Sequence, residues 1–185
     1  TFTEKASREM EERVDIGLPY GTTQMWISTF HAFCDRILRN DAINIGLDPG
    51  FKLMTEAETI LLLRKNIFKF NLKYYRPLGN PTKFITGMLQ HFSRLKDEDI
   101  SPQQYHEYAE KLKVGEEEVQ RTEELARAYR KYEELKVKEG VADYSDLISN
   151  TLKLFRSRRN ILAGYQEQFK YVLIDEFQDT NFAQN

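Results

Sequence analysis

The sequence predicts an α/β chain that is predominantly helical, with a helical subdomain inserted between strands of an open parallel sheet. Two short strand patterns lie near the ends, at Met25–Thr29 and Tyr171–Ile174. Helical periodicity and helix-capping residues fill the region from about 55 to 155. The second strand pattern is apolar at every position, which is typical of a buried parallel strand.

The N-terminal part predicts helix, break, strand and helix in that order. Thr3 can cap a first helix from about Glu4 to Val14. The chain is then expected to break, because the next segment contains Gly17, Pro19 and Gly21. The strand pattern at 25–29 passes directly into a helical apolar pattern formed by Phe30, Phe33, Cys34, Ile37 and Leu38. A strand followed by a helix is half of a β-α-β unit.

Capping signals divide the central region into successive helices. The N-terminal signals are Thr55 with Glu58, Asn80 with Pro81, Ser101 with Pro102 and Gln104, and Asp143. The first of these helices is expected to run to about Asn71. The helix after Asn80 should bury Phe84, Ile85, Met88, Phe92 and Leu95. A further long helix ends near Gly140.

Composition narrows the function classes. The 185 residues include 27 Lys and Arg against 29 Asp and Glu, a formal net charge of −2. This balance argues against a polycationic coat protein. The single cysteine, Cys34, excludes an intramolecular disulfide and predicts a reducing, intracellular setting. No apolar run approaches the length of a membrane span.

Charge is strongly segregated along the chain. Residues 59–96 contain no Asp or Glu but eight basic residues: Arg64, Lys65, Lys69, Lys73, Arg76, Lys83, Arg94 and Lys96. Residues 97–146 have a net charge of −7. Aromatic residues are interleaved with the basic ones: Phe68, Phe70, Tyr74, Tyr75 and Phe92. We interpret the basic side chains as a nucleic-acid face, with Lys69, Lys73 and Arg76 as its test residues, and the aromatic side chains as core.

A carboxylate pair, Asp175 and Glu176, follows the apolar strand pattern. In open α/β sheets, ligands bind beyond the carboxyl ends of the strands. One carboxylate there can hold Mg²⁺ while the other orients a water molecule. On the pair alone, an acidic turn in solvent is the simpler alternative.

Four segments in order resemble one family. Residues 175–181, Asp-Glu-Phe-Gln-Asp-Thr-Asn, with Gln184, resemble motif II of superfamily 1 DNA helicases of the UvrD/Rep/PcrA type. Residues 1–10 resemble their motif Ia, and residues 28–34 resemble the next motif, Thr-Phe-His-Ser-Phe-Cys. Residues 143–148 resemble the element that precedes motif II.

The resemblance implies a fold and a domain division. It implies part of a RecA-like P-loop NTPase sheet with an inserted all-α subdomain. Residues 1–40 would be part of domain 1A, residues 41–140 the inserted subdomain 1B, and residues 141–185 the return to domain 1A, ending in motif II (Walker B).

The resemblance also implies an activity. The intact enzyme would use ATP and Mg²⁺ to translocate 3′ to 5′ on single-stranded DNA and unwind forked duplex, in the cytoplasm at the nucleoid. Asp175 would bind Mg²⁺, Glu176 would activate the attacking water, and Gln178 would couple the nucleotide site to DNA. The single-stranded DNA would be contacted by Phe2, near a base, and by Thr29 and His31, near phosphates.

The sequence departs from the family pattern at three points. Glu4 stands where Asn is usual, and Ala32 replaces a Ser. The chain contains no Gly-x-x-x-x-Gly-Lys-Ser/Thr sequence, so we expect a piece of a longer enzyme that is inactive alone. Two alternatives remain open: a non-catalytic helical module that binds DNA or a protein, and the helicase part of a helicase–nuclease.

Overall fold

The computed structural model describes residues 1–18 and 25–185, and it is predominantly helical, as predicted. The chain divides into two compact units. The first unit comprises residues 1–49 and 147–185, and the second comprises residues 50–146.

The first unit begins with two capped helices. Helix α1 is Glu4–Gly17, and its cap is the Thr3 hydroxyl, which accepts a hydrogen bond from the Ala6 amide at 3.1 Å. Helix α2 is Phe30–Asp41 and is capped in the same way by Thr29. A 3-10 turn, Ala42–Ile45, follows α2. The predicted break at Pro19 and Gly21 lies outside the described residues.

Two further helices follow later in the chain. Helix α7, Tyr144–Ser157, starts at the predicted cap, since the Asp146 amide donates to Asp143 Oδ1 at 2.9 Å. Helix α8 is Arg159–Gln168, and a 3-10 turn spans Phe177–Asp179. Within the first unit, helix α2 buries Cys34, Ile37 and Leu38, which belong to its predicted apolar face.

The second unit contains four α-helices among its described residues: α3 (Glu56–Asn66), α4 (Ile85–Asp97), α5 (Pro102–Lys111) and α6 (Glu116–Glu139). A 3-10 turn, Ile67–Phe70, extends α3. Two short strands, β1 (Lys52–Leu53) and β2 (Val141–Ala142), pair in parallel, with Lys52 opposite Val141. This pairing joins the start and the end of the unit.

Helix periodicity decides the core of this unit. Phe92 on α4 stacks on Tyr129 and Tyr132 of α6, with ring centroids 5.1 and 5.7 Å apart. All three side chains are almost completely buried, and burying a side chain of this kind contributes roughly 1.5–3 kcal/mol. The predicted capping boxes at Thr55 and Ser101 are both present, which confirms where α3 and α5 begin.

Both predicted strands are wrong for this structure. Residues 25–29 and 171–174 form no strand, and Tyr171 and Leu173 are 91% and 96% exposed. A strand requires a hydrogen-bonded neighbour, and within residues 1–18 and 25–185 the one ladder described is β1 with β2. The apolar pattern at 171–174 is therefore an exposed extended segment here.

Two predicted helix boundaries also shift. The helix after Thr55 ends at Asn66 and tightens into the 3-10 turn, after which Asn71 adopts a left-handed conformation with φ 51°. Turns precede α4, which begins at Ile85 rather than directly after Pro81. Its predicted apolar face is otherwise correct, since Ile85, Met88, Phe92 and Leu95 are buried.

Candidate functional site

The carboxylate pair lies in an exposed turn. Asp175 and Glu176 precede the 3-10 turn of Phe177–Asp179, and Glu176 has a left-handed φ of 51°. The Gln178 side-chain amide donates a hydrogen bond to the Glu176 carboxylate. Three residues with predicted roles in ATP hydrolysis, Asp175, Glu176 and Gln178, therefore share one local structure.

Hydrogen bonds among the residues that follow the carboxylate pair stabilise the C-terminal side of the turn. The Asn181 amide donates to Gln184 Oε1 at 3.1 Å, and the Gln184 amide donates to Asn181 Oδ1 at 3.0 Å. Thr180 Oγ1 donates to the Phe177 carbonyl at 2.8 Å. These local bonds use the polar residues of the motif to fix the backbone next to the carboxylates.

The donor set of this turn fits Mg²⁺. Mg²⁺ keeps several waters and takes one or two carboxylates, with substrate phosphates completing its shell. Asp175 and Glu176 are exposed, so a hydrated ion can reach either carboxylate without a rearrangement of the protein. The sequence of this chain supplies no phosphate-binding glycine loop to complete such a site.

The starts of α1 and α2 meet in the first unit. Thr29 is buried, and its hydroxyl accepts from the Ala32 amide and donates to the Glu4 carboxylate, both at 3.2 Å. The Phe2 ring lies 5.5 Å from the ring of Phe30. The structure thus places Phe2 against Phe30, the residue that follows Thr29.

Glu4 changes what Thr29 can do. Helix N-termini favour negative charge, and the Glu4 carboxylate bonds to the residue that caps α2. A phosphate contact by Thr29 would have to replace this hydrogen bond. His31, in the first turn of α2, is half-buried.

The predicted basic face belongs to the second unit. Lys69 and Lys73 are exposed, and Lys69 Nζ donates to Asn66 Oδ1 at 2.7 Å. The Arg76 guanidinium lies 5.0 Å above the ring centroid of Phe68. Arg64, Lys65, Lys83 and Arg94 are also exposed. Most of the basic stretch is therefore accessible.

Three expectations about this stretch were wrong. Lys96 is buried and ion-paired, so it cannot serve on a surface. Phe68 and Tyr74 are 68% and 42% exposed, so these two aromatic rings lie outside the core that we predicted for them. Phe70 and Phe92 are buried, as expected.

Lys96 belongs to a buried ion cluster that the sequence analysis missed. The cluster consists of Lys96, Glu133, Lys136, Asp143 and Asp146. Asp146 accepts from Lys96 Nζ at 2.5 Å and from Lys136 Nζ at 2.6 Å. Asp143 accepts from Lys136 Nζ and from the Tyr132 hydroxyl, both at 2.8 Å. The cluster connects α4 and α6 to the start of α7.

Burial and charge oppose each other in this cluster. Burial alone would lower the pKa of Lys96, but Asp146, Glu133 and Asp143 raise it well above its usual value. Burial alone would raise the pKa of Asp143, but Lys96 and Lys136 hold it below its usual value. Lys96 and Asp143 are therefore charged, and each depends on the other charges of the cluster.

A sequence signal for the cluster exists. Lys96 comes four residues after Phe92, and Lys136 comes four residues after Tyr132, so both lysines fall on the apolar face of their helix. A lysine at an apolar position indicates a buried partner of opposite charge. Asp143 and Asp146, in the element that precedes motif II, are those partners.

A model of one protein family, the UvrD/REP helicase N-terminal domain, matches residues 1–185. The chain belongs to the UvrD/REP helicase family. This confirms the family that the four ordered motifs indicated.

Named relatives are similar to this chain along its whole length. The chain is 35% identical over 185 residues to the ATP-dependent DNA helicase PcrA of Bacillus subtilis (strain 168). It is 38% identical over 188 residues to the protein of that name from Leuconostoc citreum. Each alignment covers 100% of this chain and 23% of the relative, so the chain spans less than a quarter of the relatives' length.

No helix among the described residues is long and apolar enough to cross a membrane.

Proposed function

We propose that this chain is part of an ATP-dependent DNA helicase that moves 3′ to 5′ along single-stranded DNA and unwinds duplex in the cytoplasm, at the nucleoid. The observation that carries the proposal is the family match over all 185 residues. The printed name of the relatives, ATP-dependent DNA helicase PcrA, supports the use of ATP and DNA.

The proposed domain division follows the family. Residues 1–40 and 141–185 are assigned to the RecA-like domain 1A, and residues 41–140 to the inserted subdomain 1B. The compact unit of residues 50–146 supports an insert, because its two ends are joined by the β1–β2 pair.

The proposed nucleotide chemistry uses the exposed turn. Asp175 supplies a carboxylate oxygen to Mg²⁺, which would neutralise charge on the terminal phosphates of ATP. Glu176 orients the attacking water and accepts its proton. Gln178 couples this site to DNA, and its hydrogen bond to Glu176 supports that role, because it links the amide to the proposed base.

The proposed DNA contacts lie in both units. Phe2 stacks near a base, while Thr29 and His31 contact phosphates of the single strand. Lys69, Lys73 and Arg76 contact the phosphates of the duplex ahead of the fork. Lys69 and Lys73 are exposed, and Arg76 packs over the exposed ring of Phe68. This combination of cations and an accessible aromatic ring supports a nucleic-acid face.

Strand displacement by the full-length protein tests the proposal. We expect ATP- and Mg²⁺-dependent displacement from a duplex with a 3′ single-stranded tail, and none from the same duplex with a 5′ tail. Displacement from the 5′-tailed duplex alone would overturn the direction. DNA binding without any DNA-stimulated ATP hydrolysis would instead favour the non-catalytic module.

A further inference from the structure

One acidic residue of α6 points into the protein rather than toward solvent. Glu124 is 5% exposed, and its carboxylate accepts hydrogen bonds from two successive main-chain amides, those of Tyr74 at 3.2 Å and Tyr75 at 2.9 Å. Successive amides that converge on one anion form a concave anion-binding arrangement. Here the anion is a side chain located 49 residues beyond Tyr75.

The amides that Glu124 binds belong to the loop of residues 71–84, which connects the 3-10 turn after α3 to α4. This loop carries Lys73 and Arg76, two of the proposed DNA contacts. A second contact from α6 supports the same point, because the Arg121 guanidinium lies 3.9 Å above the ring centroid of Tyr74. Helix α6 therefore contacts the loop in two ways. The Glu124 carboxylate binds the loop amides, and the Arg121 guanidinium packs on the Tyr74 ring.

We infer that Glu124 is a positioning residue for DNA binding by the loop of residues 71–84. The inference rests on the proposed function of the basic stretch. A buried carboxylate close to a phosphate-binding surface opposes DNA binding by its charge. Its contribution must therefore be geometric: it fixes the backbone from which Lys73 and Arg76 extend, so that less conformational entropy is lost when DNA binds.

The matched pair Glu124→Gln and Glu123→Gln separates geometry from charge. Both variants remove one negative charge from the same helix, and Glu123 is a partly exposed residue whose carboxylate lies 3.7 Å from Arg127. If only charge matters, each variant should bind DNA with the affinity of the unsubstituted protein or slightly more tightly. Positioning predicts that Glu124→Gln weakens binding of forked DNA about tenfold, equivalent to about 1.4 kcal/mol, while Glu123→Gln does not weaken it.

Three further measurements distinguish a positioning role from a general loss of stability. Hydrogen exchange at the Tyr74 and Tyr75 amides should become faster in Glu124→Gln, while exchange in the core of α6 is unchanged. When Lys73 and Arg76 are already reversed to Glu, adding Glu124→Gln should change DNA affinity no further, since the residue acts through them. Glu124→Asp, which keeps the charge on a shorter side chain, should bind with intermediate affinity.

Equal affinities of the Glu124→Gln and Glu123→Gln variants would overturn the inference, and so would an undiminished effect in the reversed background. If reversing Lys69, Lys73 and Arg76 weakens DNA binding but Glu124→Gln does not, the positioning role alone fails. If that triple reversal has no effect, the proposed DNA contact fails, and the inference that rests on it fails as well.

Discussion

Reversing the charge of Lys69, Lys73 and Arg76 to Glu tests the proposed duplex contact directly. Lys69 and Lys73 are exposed, and Arg76 stacks over the exposed ring of Phe68. If these three groups contact phosphates, each contact releases counterions from DNA when the protein binds. The variant should therefore bind more weakly, and its affinity should depend less on salt.

The expected size follows from the number of contacts. Each phosphate contact contributes about 0.9 to the slope of log affinity against log salt on duplex DNA, so three contribute about 2.7. Between 50 and 200 mM salt, these three contacts should account for about a 40-fold loss of affinity. The triple variant should lose that part of the salt dependence, whatever the base sequence of the DNA.

Fluorescence anisotropy with forked and single-stranded DNA at the two salt concentrations measures both quantities. The control reverses Arg127, Arg130 and Lys131 on α6, an identical change in net charge. Arg127 lies 3.7 Å from Glu123, and Arg130 donates to Gln103 at 3.0 Å. Equal losses in the variant and the control, or an unchanged salt slope in the variant, would refute the duplex contact.

Three further predictions concern hydrolysis and stability. In the full-length protein, Glu176→Gln should abolish ATP hydrolysis but leave ATP binding intact, because it removes the charge that polarises water; equal losses of both would contradict this role. Lys136→Met should lower the free energy of unfolding, measured in urea, by about 3–5 kcal/mol, because it leaves buried carboxylates without one of their positive partners. Lys138→Met, at an exposed position, should not lower it. Burial, followed by the charge of Arg94, lowers the pKa of His91 from 6.5. The folded protein therefore binds a proton less readily than the unfolded chain, and stability falls as pH drops below 6.5. His91→Gln should flatten this fall between pH 7 and 5, and an unchanged pH profile would exclude His91 as its source.

Local sequence signals predicted where most of the helices begin, although α8 was not predicted and α4 begins later than expected. The predicted caps at Thr3, Thr55, Ser101 and Asp143 are present, because a capping bond joins residues only a few positions apart. The buried face of α4 follows in the same way from its 3.6-residue periodicity. The strand patterns failed because a strand depends on a distant partner, and Tyr171–Ile174 pairs with no described segment.

The family, the order of the motifs and the segregation of basic from acidic residues can all be read from the amino-acid sequence. These are properties of residue type and spacing, and they do not depend on which segments meet in space. The Gln178–Glu176 contact is nearly as local, since it joins residues two positions apart.

Which charged side chains are exposed and which are buried depends on the folded packing. Lys96 looked like one of eight surface cations, yet it lies beside Asp143 and Asp146, which follow it by 47 and 50 residues. Glu124 belongs to the segment of net charge −7, yet its carboxylate is buried and binds the amides of Tyr74 and Tyr75. Folding brings these groups together by packing α4, α6 and the loop of residues 71–84, and burial then makes each charge depend on its partner.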